Sequence, residues 1–232
     1  MLNNVKYHRG LTLAEVLVAT FVFLLCSTAV LSTWLCVRKM YTTEVNTIDA
    51  RRELRLALHK MNNDFKLAEM IYTGRTFTHN DTNGASRTYE IEDPNVPGQS
   101  MAVAIPSVDT EGVRNGNYLV IGYILQKQDN TDPLIRLNPN AQQLTRFQYR
   151  TTTGTSFSPI DPYTINLQTA ANHSSTIYTV LCRFIEPDGI EFCVNSNSRG
   201  IKTAAVKVQK QLPNIPPVQQ RIESGYFLRN NR

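Results

Sequence analysis

The feature that most restricts this chain is a run of 22 residues without a charge, Val16 to Val37, reading VLVATFVFLLCSTAVLSTWLCV. As a helix the run spans roughly 33 Å, about the hydrocarbon thickness of a bilayer. A cleaved secretory signal carries a shorter apolar region with a small-x-small site after it, so this run is too long to be one. A lipoprotein signal needs a small residue ahead of its cysteine, whereas Leu25 and Leu35 precede Cys26 and Cys36. The run therefore reads as a single membrane-crossing segment. Lys6 and Arg9 before it are matched by Arg38 and Lys39 after it, so charge counting leaves its orientation open.

The residues ahead of the run add information. They read Lys6-Tyr7-His8-Arg9-Gly10-Leu11-Thr12-Leu13-Ala14-Glu15-Val16: a short basic leader, a glycine, four uncharged residues, then one acid at the opening of the apolar helix. This resembles the type III signal of prepilins, the precursors of type IV pilins and pseudopilins. The resemblance implies that a prepilin peptidase cuts after Gly10 and methylates the new amino terminus at Leu11. Glu15 then becomes the fifth mature residue, where the family keeps a glutamate. An ionisable group in a membrane segment costs on the order of 2 to 3 kcal/mol at the bilayer centre and usually marks function. Two roles stand for Glu15: a carboxylate stabilising the positive start of its own helix, or the one the resemblance implies, a salt bridge to the α-amine of Leu11 on a neighbouring subunit. In the second role a paired charge rewards one register of bundled helices over others. The resemblance also implies a leader in the cytoplasm, a single pass through a bacterial inner membrane, and a carboxyl-terminal domain in the periplasm or outside the cell.

Beyond Val37 the helical pattern continues, with Leu54, Leu58, Met61, Phe65, Ala68 and Tyr72 on one face. The residues around them, Arg51 to Glu53, Arg55, His59, Lys60, Asn62 to Asp64 and Lys66, read as a solvated face, and Gly74 as a stop signal. From there the signals are β-rich: Thr88 to Glu92, Met101 to Ile105, Tyr118 to Gln126, Leu134 to Leu137, Gln143 to Arg150, Ile177 to Ile185, Ile190 to Val194 and Ile201 to Leu212. Runs such as Thr145 to Tyr149 and Lys202 to Val208 alternate polar and apolar, as in a sheet with one face on a helix and the other in water. Thr151 to Ser158 reads as a mobile loop. The expected fold is α+β and pilin-like: a long N-terminal helix, its first half transmembrane, packed on an antiparallel sheet. Its parts are a cleaved leader (1–10), a transmembrane and assembly helix (11–37), its amphipathic continuation (38–74), a β-rich head (75–212) and an extended tail (213–232) containing Pro213, Pro216 and Pro217.

Cys182 and Cys193 flank Glu186-Pro187-Asp188-Gly189, which looks like a hairpin turning at Pro-Asp-Gly. Depending on the turn type, the cysteines face each other directly or sit one place out of line. A disulfide between them is expected in an oxidising periplasm.

The search for chemistry is otherwise negative. His8, His59, His79 and His173 are scattered, and no Cys-x-x-Cys, His-Glu-x-x-His, Walker or Gly-x-Ser-x-Gly pattern occurs. Asp109 with Glu111, and Asn80 with Asp81 and Asn83, are too sparse for a calcium site and read as solvated turns. No catalytic residue, metal or cofactor is assigned. The net charge of +5 would fall to about +3 without Lys6 and Arg9, and no basic run with interleaved aromatics points to nucleic acid. Leu58 to Ala68 resembles the register of larger minor subunits, such as minor pseudopilin J of type II secretion and the W-type minor pilins. The expected function is accordingly a minor subunit of a pilus or secretion pseudopilus that primes or caps the filament. Its implied partners are the prepilin peptidase, other major and minor pilins or pseudopilins, and an inner-membrane assembly platform. The rival readings are an anchored binding module for DNA, a surface or sugar, and an anchored enzyme.

Overall fold

The computed structural model describes residues 12–80, 84–91, 100–128, 140–196, 202–210 and 218–222. Helix α1 covers Leu13–Leu67 and is followed by strands β1 (Met70–Tyr72), β2 (Arg75–Asn80), β3 (Ser86–Ile91), β4 (Ser100–Val108), β5 (Arg114–Lys127) and β6 (Gln142–Arg150). A 3-10 turn at Pro162–Thr164 leads to helix α2 (Leu167–Asn172), then β7 (Ile177–Ser196), β8 (Lys202–Lys210) and β9 (Val218–Ile222). The layout is α+β, a long N-terminal helix followed by an antiparallel sheet domain. The chain divides into two units, one up to Asn46 and one from Thr47.

In the second unit seven strands form one sheet in the order β1-β4-β5-β6-β7-β8-β9, every neighbouring pair antiparallel. The helical stripe behaves as its spacing dictates. Leu54, Leu58, Met61, Phe65 and Ala68 are buried, packed on Met101, Val103, Ile121, Tyr123, Leu125 and Leu144 of the sheet. Each buried Leu or Phe of this kind contributes roughly 1.5–3 kcal/mol.

Four expectations are corrected. The helix stops at Leu67, short of Tyr72, because Met70, Ile71 and Tyr72 pair with Ala104, Val103 and Ala102 as an edge strand. Gly74, at φ 63°, serves the turn from β1 to β2.

The far face of the sheet is covered instead of wet. The hairpin β2–β3 places Phe77, Tyr89 and Ile91, and α2 places Leu167, Ala170 and Ala171, against Ala102, Val120, Ile124 and Phe147. Burial on both faces explains why Met101 to Ala104 and Val120 to Gln126 are buried without alternation, and why Thr145 and Arg146 are buried too. Gln168 and Asn172 fasten α2 by bonding the Thr78 backbone. Gly122 leaves the space that the cross-strand Phe147 ring fills.

The third correction concerns β7. No hairpin forms at Pro187-Asp188-Gly189. One strand runs through, pairing with β6 up to Ile185 and with β8 from Ile185 onward. Five steps along β7, Ile185 to Ile190, oppose two along β8, Lys210 to Val208, so Glu186 to Gly189 bulge out. A proline cannot donate to the ladder, and a bulge accommodates it. Cys182 and Cys193 thus lie eleven residues apart along one strand. At about 3.3 Å per residue, even less what the bulge takes up, they are well beyond the roughly 7 Å a disulfide spans. The facing geometry expected for that bond is absent.

The fourth correction is Asp64. It belongs to the buried face of α1, 5% exposed, and its carboxylate accepts from Tyr123 Oη at 2.5 Å and Arg146 Nε at 2.7 Å. The expected strand at 134–137 lies outside the described residues. The tail contributes β9, in register with β8 from Lys210↔Val218 to Val206↔Ile222.

Candidate functional site

The first unit is a helix long and apolar enough to cross a membrane. Its large apolar side chains from Leu13 to Tyr41 are exposed, Leu13 at 82%, Phe23 at 71%, Val30 at 70% and Trp34 at 55%. By length and composition this exposed apolar segment could span a membrane.

Its hydroxyl groups are satisfied within the helix itself. The hydroxyls of Thr20, Thr28 and Ser32 donate to the carbonyls three residues earlier, and Thr33 to the one four earlier, all at 2.9 Å. No water is needed to satisfy them. At the far end of the run the Arg38 guanidinium lies 5.4 Å from the centroid of the Trp34 ring, a cation–π contact. Cys26 and Cys36 are exposed free thiols on this helix.

At the helix mouth Thr12 and Glu15 form a capping box. Thr12 N–H and Thr12 Oγ1 each donate to Glu15 Oε2 at 2.9 Å, and Glu15 N–H donates back to Thr12 Oγ1 at 3.3 Å. The reading of Glu15 as a carboxylate at the start of its own helix thus has direct geometry. Only Oε2 is used: among the described residues Oε1 accepts nothing, so the same side chain retains a lone-pair site for an incoming cation. Gly10 and Leu11, the expected cleavage and methylation site, and His8 lie outside the described residues.

The remaining candidates resolve into structural roles. His59 contacts Asn63 on its own helix at 3.2 Å. His79 meets Asn172 at 3.1 Å and stacks on Tyr178 at 4.6 Å between ring centroids. His173 meets Ser175 at 2.8 Å. Asp109 Oδ1 accepts from Glu111 N–H at 3.0 Å and Val113 N–H at 2.8 Å, building the β4–β5 turn. No group of three metal-ligating side chains occurs among the described residues. An open cleft beside β5 is lined by Pro106, Arg114, Tyr118, Ile160 and Asp161. Its guanidinium is paired with Glu69 at 3.1 Å, and Tyr118 Oη donates to Glu69 at 3.3 Å.

The segment read as a mobile loop is a built feature. Gly154 N–H donates to Asn117 Oδ1 at 2.8 Å and Asn117 Nδ2 to Gly154 O at 2.9 Å, while Thr155 and Ser158 exchange backbone hydrogen bonds at 3.1 Å. Gly116, at φ 77°, lets Thr155 approach where a Cβ would clash at 2.0 Å. The turn holds Phe157 fully exposed, at 102%. Only Gly154 between threonines hinted at this in the sequence.

Neither family models nor curated proteins nor solved structures give a match to this chain.

Proposed function

We propose that the chain is a minor subunit of the type IV pilin and pseudopilin class: an inner-membrane protein that assembles through its N-terminal helix into a pilus or secretion pseudopilus, its sheet domain periplasmic. It catalyses nothing in this reading and works by assembly, priming or capping a filament with sister subunits. The observation that carries the proposal is Glu15 at the mouth of an exposed apolar run, one carboxylate oxygen capped by Thr12 and the other accepting nothing among the described residues.

The chemistry of that arrangement has two stages. In the lone chain the capping box offsets part of the cost of holding a carboxylate near lipid. When helices bundle, Oε1 gains an ammonium, the α-amine of Leu11 on a neighbour, and the pair fixes the stagger of the two helices. Lys6 and Arg9 are removed with the leader after the peptidase acts at Gly10.

The test has two parts. Mass spectrometry of the chain purified from its native membrane should find it beginning at N-methylated Leu11. Glu15→Ala should insert as before, while its co-purification with other anchored subunits falls at least tenfold, the scale of a lost charge pair. A chain that keeps its first ten residues, and a Glu15→Ala chain that co-purifies as well as the parent, together refute the reading.

A further inference from the structure

The face of α1 turned away from the sheet carries a basic groove. Ile48, Arg51, Arg52, Arg55, Leu56 and His59 line it, all of them exposed. Ile48 is 63% exposed and Leu56 61%. None of the three arginines has a carboxylate within salt-bridge distance among the described residues, while Glu53 beside them accepts from Arg183 N–H at 2.8 Å. Like charges four positions apart, here Arg51 and Arg55, work against a helix. A cation cluster kept at that cost, with two bare aliphatic side chains among it, suits an occupant that is acidic and apolar at once.

A segment of that character lies in the same chain. Between β4 and β5 the turn Val108-Asp109-Thr110-Glu111-Gly112-Val113 has two acids and no base, and its valines are 51% and 55% exposed. Its form is fixed: Asp109 Oδ1 accepts from two backbone N–H groups, Asp109 N–H donates to Val113 O at 2.8 Å, and Gly112 takes a φ of 79°. The Glu111 carboxylate has no partner among the described residues. The turn does not reach the groove of its own chain. Arg114, at its base, is held at 3.1 Å to Glu69, just past the end of α1. Arg55 lies 67 − 55 = 12 residues before Leu67, about 18 Å back along the helix. A turn of six residues projects only about 10 Å.

We infer that the groove receives the β4–β5 turn of a second copy of this chain, with Asp109 and Glu111 against the guanidiniums and Val108 and Val113 against Ile48 and Leu56. Arginine forks match carboxylates two bonds at a time, and the apolar pairs exclude water around them. Groove and turn are different surfaces, so a bound pair keeps one of each free and the contact repeats from copy to copy. The inference goes beyond the anchored-assembly reading, because it uses only the unit from Thr47 onward and stands apart from Glu15. A turn of this size buries less than the roughly 800 Å² per partner of a free-standing complex, so the contact is read at high chain concentration.

The experiment is sedimentation equilibrium of the full chain in density-matched mild detergent, up to about 1 mM, the effective concentration of chains tethered side by side. The parent should grow in mass with concentration. Arg52→Glu with Arg55→Glu spoils the groove, and Glu111→Lys spoils the turn, all at exposed positions. Each variant alone should associate at least about tenfold more weakly. Mixed in equal amounts, the two variants should recover association and stop at pairs, since one supplies a sound turn and the other a sound groove. That recovery also shows that both variants fold. A parent that stays single overturns the inference and gives the groove to a different anion. Variants that associate as well as the parent, or a mixture that stays single, overturn it too. None of these results touches the fate of Gly10 and Leu11, which tests the anchored reading separately.

Discussion

Replacing Arg146 with methionine tests how the helix is locked to the sheet. The side chains of Asp64 and Arg146 are each 7% exposed, joined at 2.7 Å, and Tyr123 Oη reaches the same carboxylate oxygen at 2.5 Å. Removing the guanidinium leaves the Asp64 carboxyl group in the core with one phenol as partner. Breaking one side of a buried pair costs about 3–5 kcal/mol. The unit from Thr47 to Arg232 holds 232 − 46 = 186 residues, and at about 2.1 cal/mol/K per residue its unfolding entropy is near 0.4 kcal/mol/K. A loss of about 4 kcal/mol then lowers Tm by roughly 10 °C. The assay is thermal unfolding of the full chain in detergent, followed by near-ultraviolet circular dichroism of the packed tyrosines. The double variant Asp64→Leu with Arg146→Met removes both charges and should recover most of the loss, as buried pairs replaced by apolar groups often do. A single variant that costs under about 1 kcal/mol, or a double variant no better than the single, refutes the argument that the pair is a mutually dependent buried unit.

Two further outcomes follow from the same packing. Gly116→Ala should destabilise by at least about 2 kcal/mol, since its φ of 77° and the contact with Thr155 both exclude a Cβ; denaturant midpoints check this, and an unchanged midpoint would mean the loop is not held as described. Burial, with the Asp64 carboxylate beside it, pushes the Tyr123 phenol well above its ordinary value of about 10. The folded state therefore keeps this proton where the unfolded state loses it, so the contribution is complete below pH about 10 and declines as pH rises through the folded value. Tyr123→Phe should flatten the alkaline loss of stability, and an identical alkaline profile would contradict the shift.

What the sequence made legible was whatever local periodicity controls. The stripe from Leu54 to Ala68 follows from its spacing, and the strands around Met101 to Ile105, Tyr118 to Gln126 and Gln143 to Arg150 from β-rich runs bounded by turn residues. Position 64 shows where this fails. It shares the helix face with Met61 and Phe65, but an aspartate reads as solvated unless its partners are visible, and they lie 59 and 82 residues away. Helix α2 has six residues, too few for a periodic signal, and together with the β2–β3 hairpin it dries the second face of the sheet. The β7 error has the same origin: Pro-Asp-Gly is a sound turn signal locally, and only the pairing with two different neighbours turns it into a bulge. At the helix mouth both partners are legible, since a threonine three residues ahead of a glutamate at the start of an apolar run is the pattern of a capping box.

The capping box also bears on the order of events at the membrane. A lone carboxylate entering lipid would favour any basic group within reach, including phospholipid amines, and so would reward the wrong neighbours. With Oε2 held by two donors from Thr12, the acid is partly satisfied before assembly and its remaining oxygen is fixed in direction by the helix start. In the proposed assembly, pairing then depends on a donor arriving at one stagger, which converts a general attraction into a register signal. In the sheet domain, by contrast, the Asp64–Arg146 charge pair is sealed in the core, where it joins α1 to the sheet.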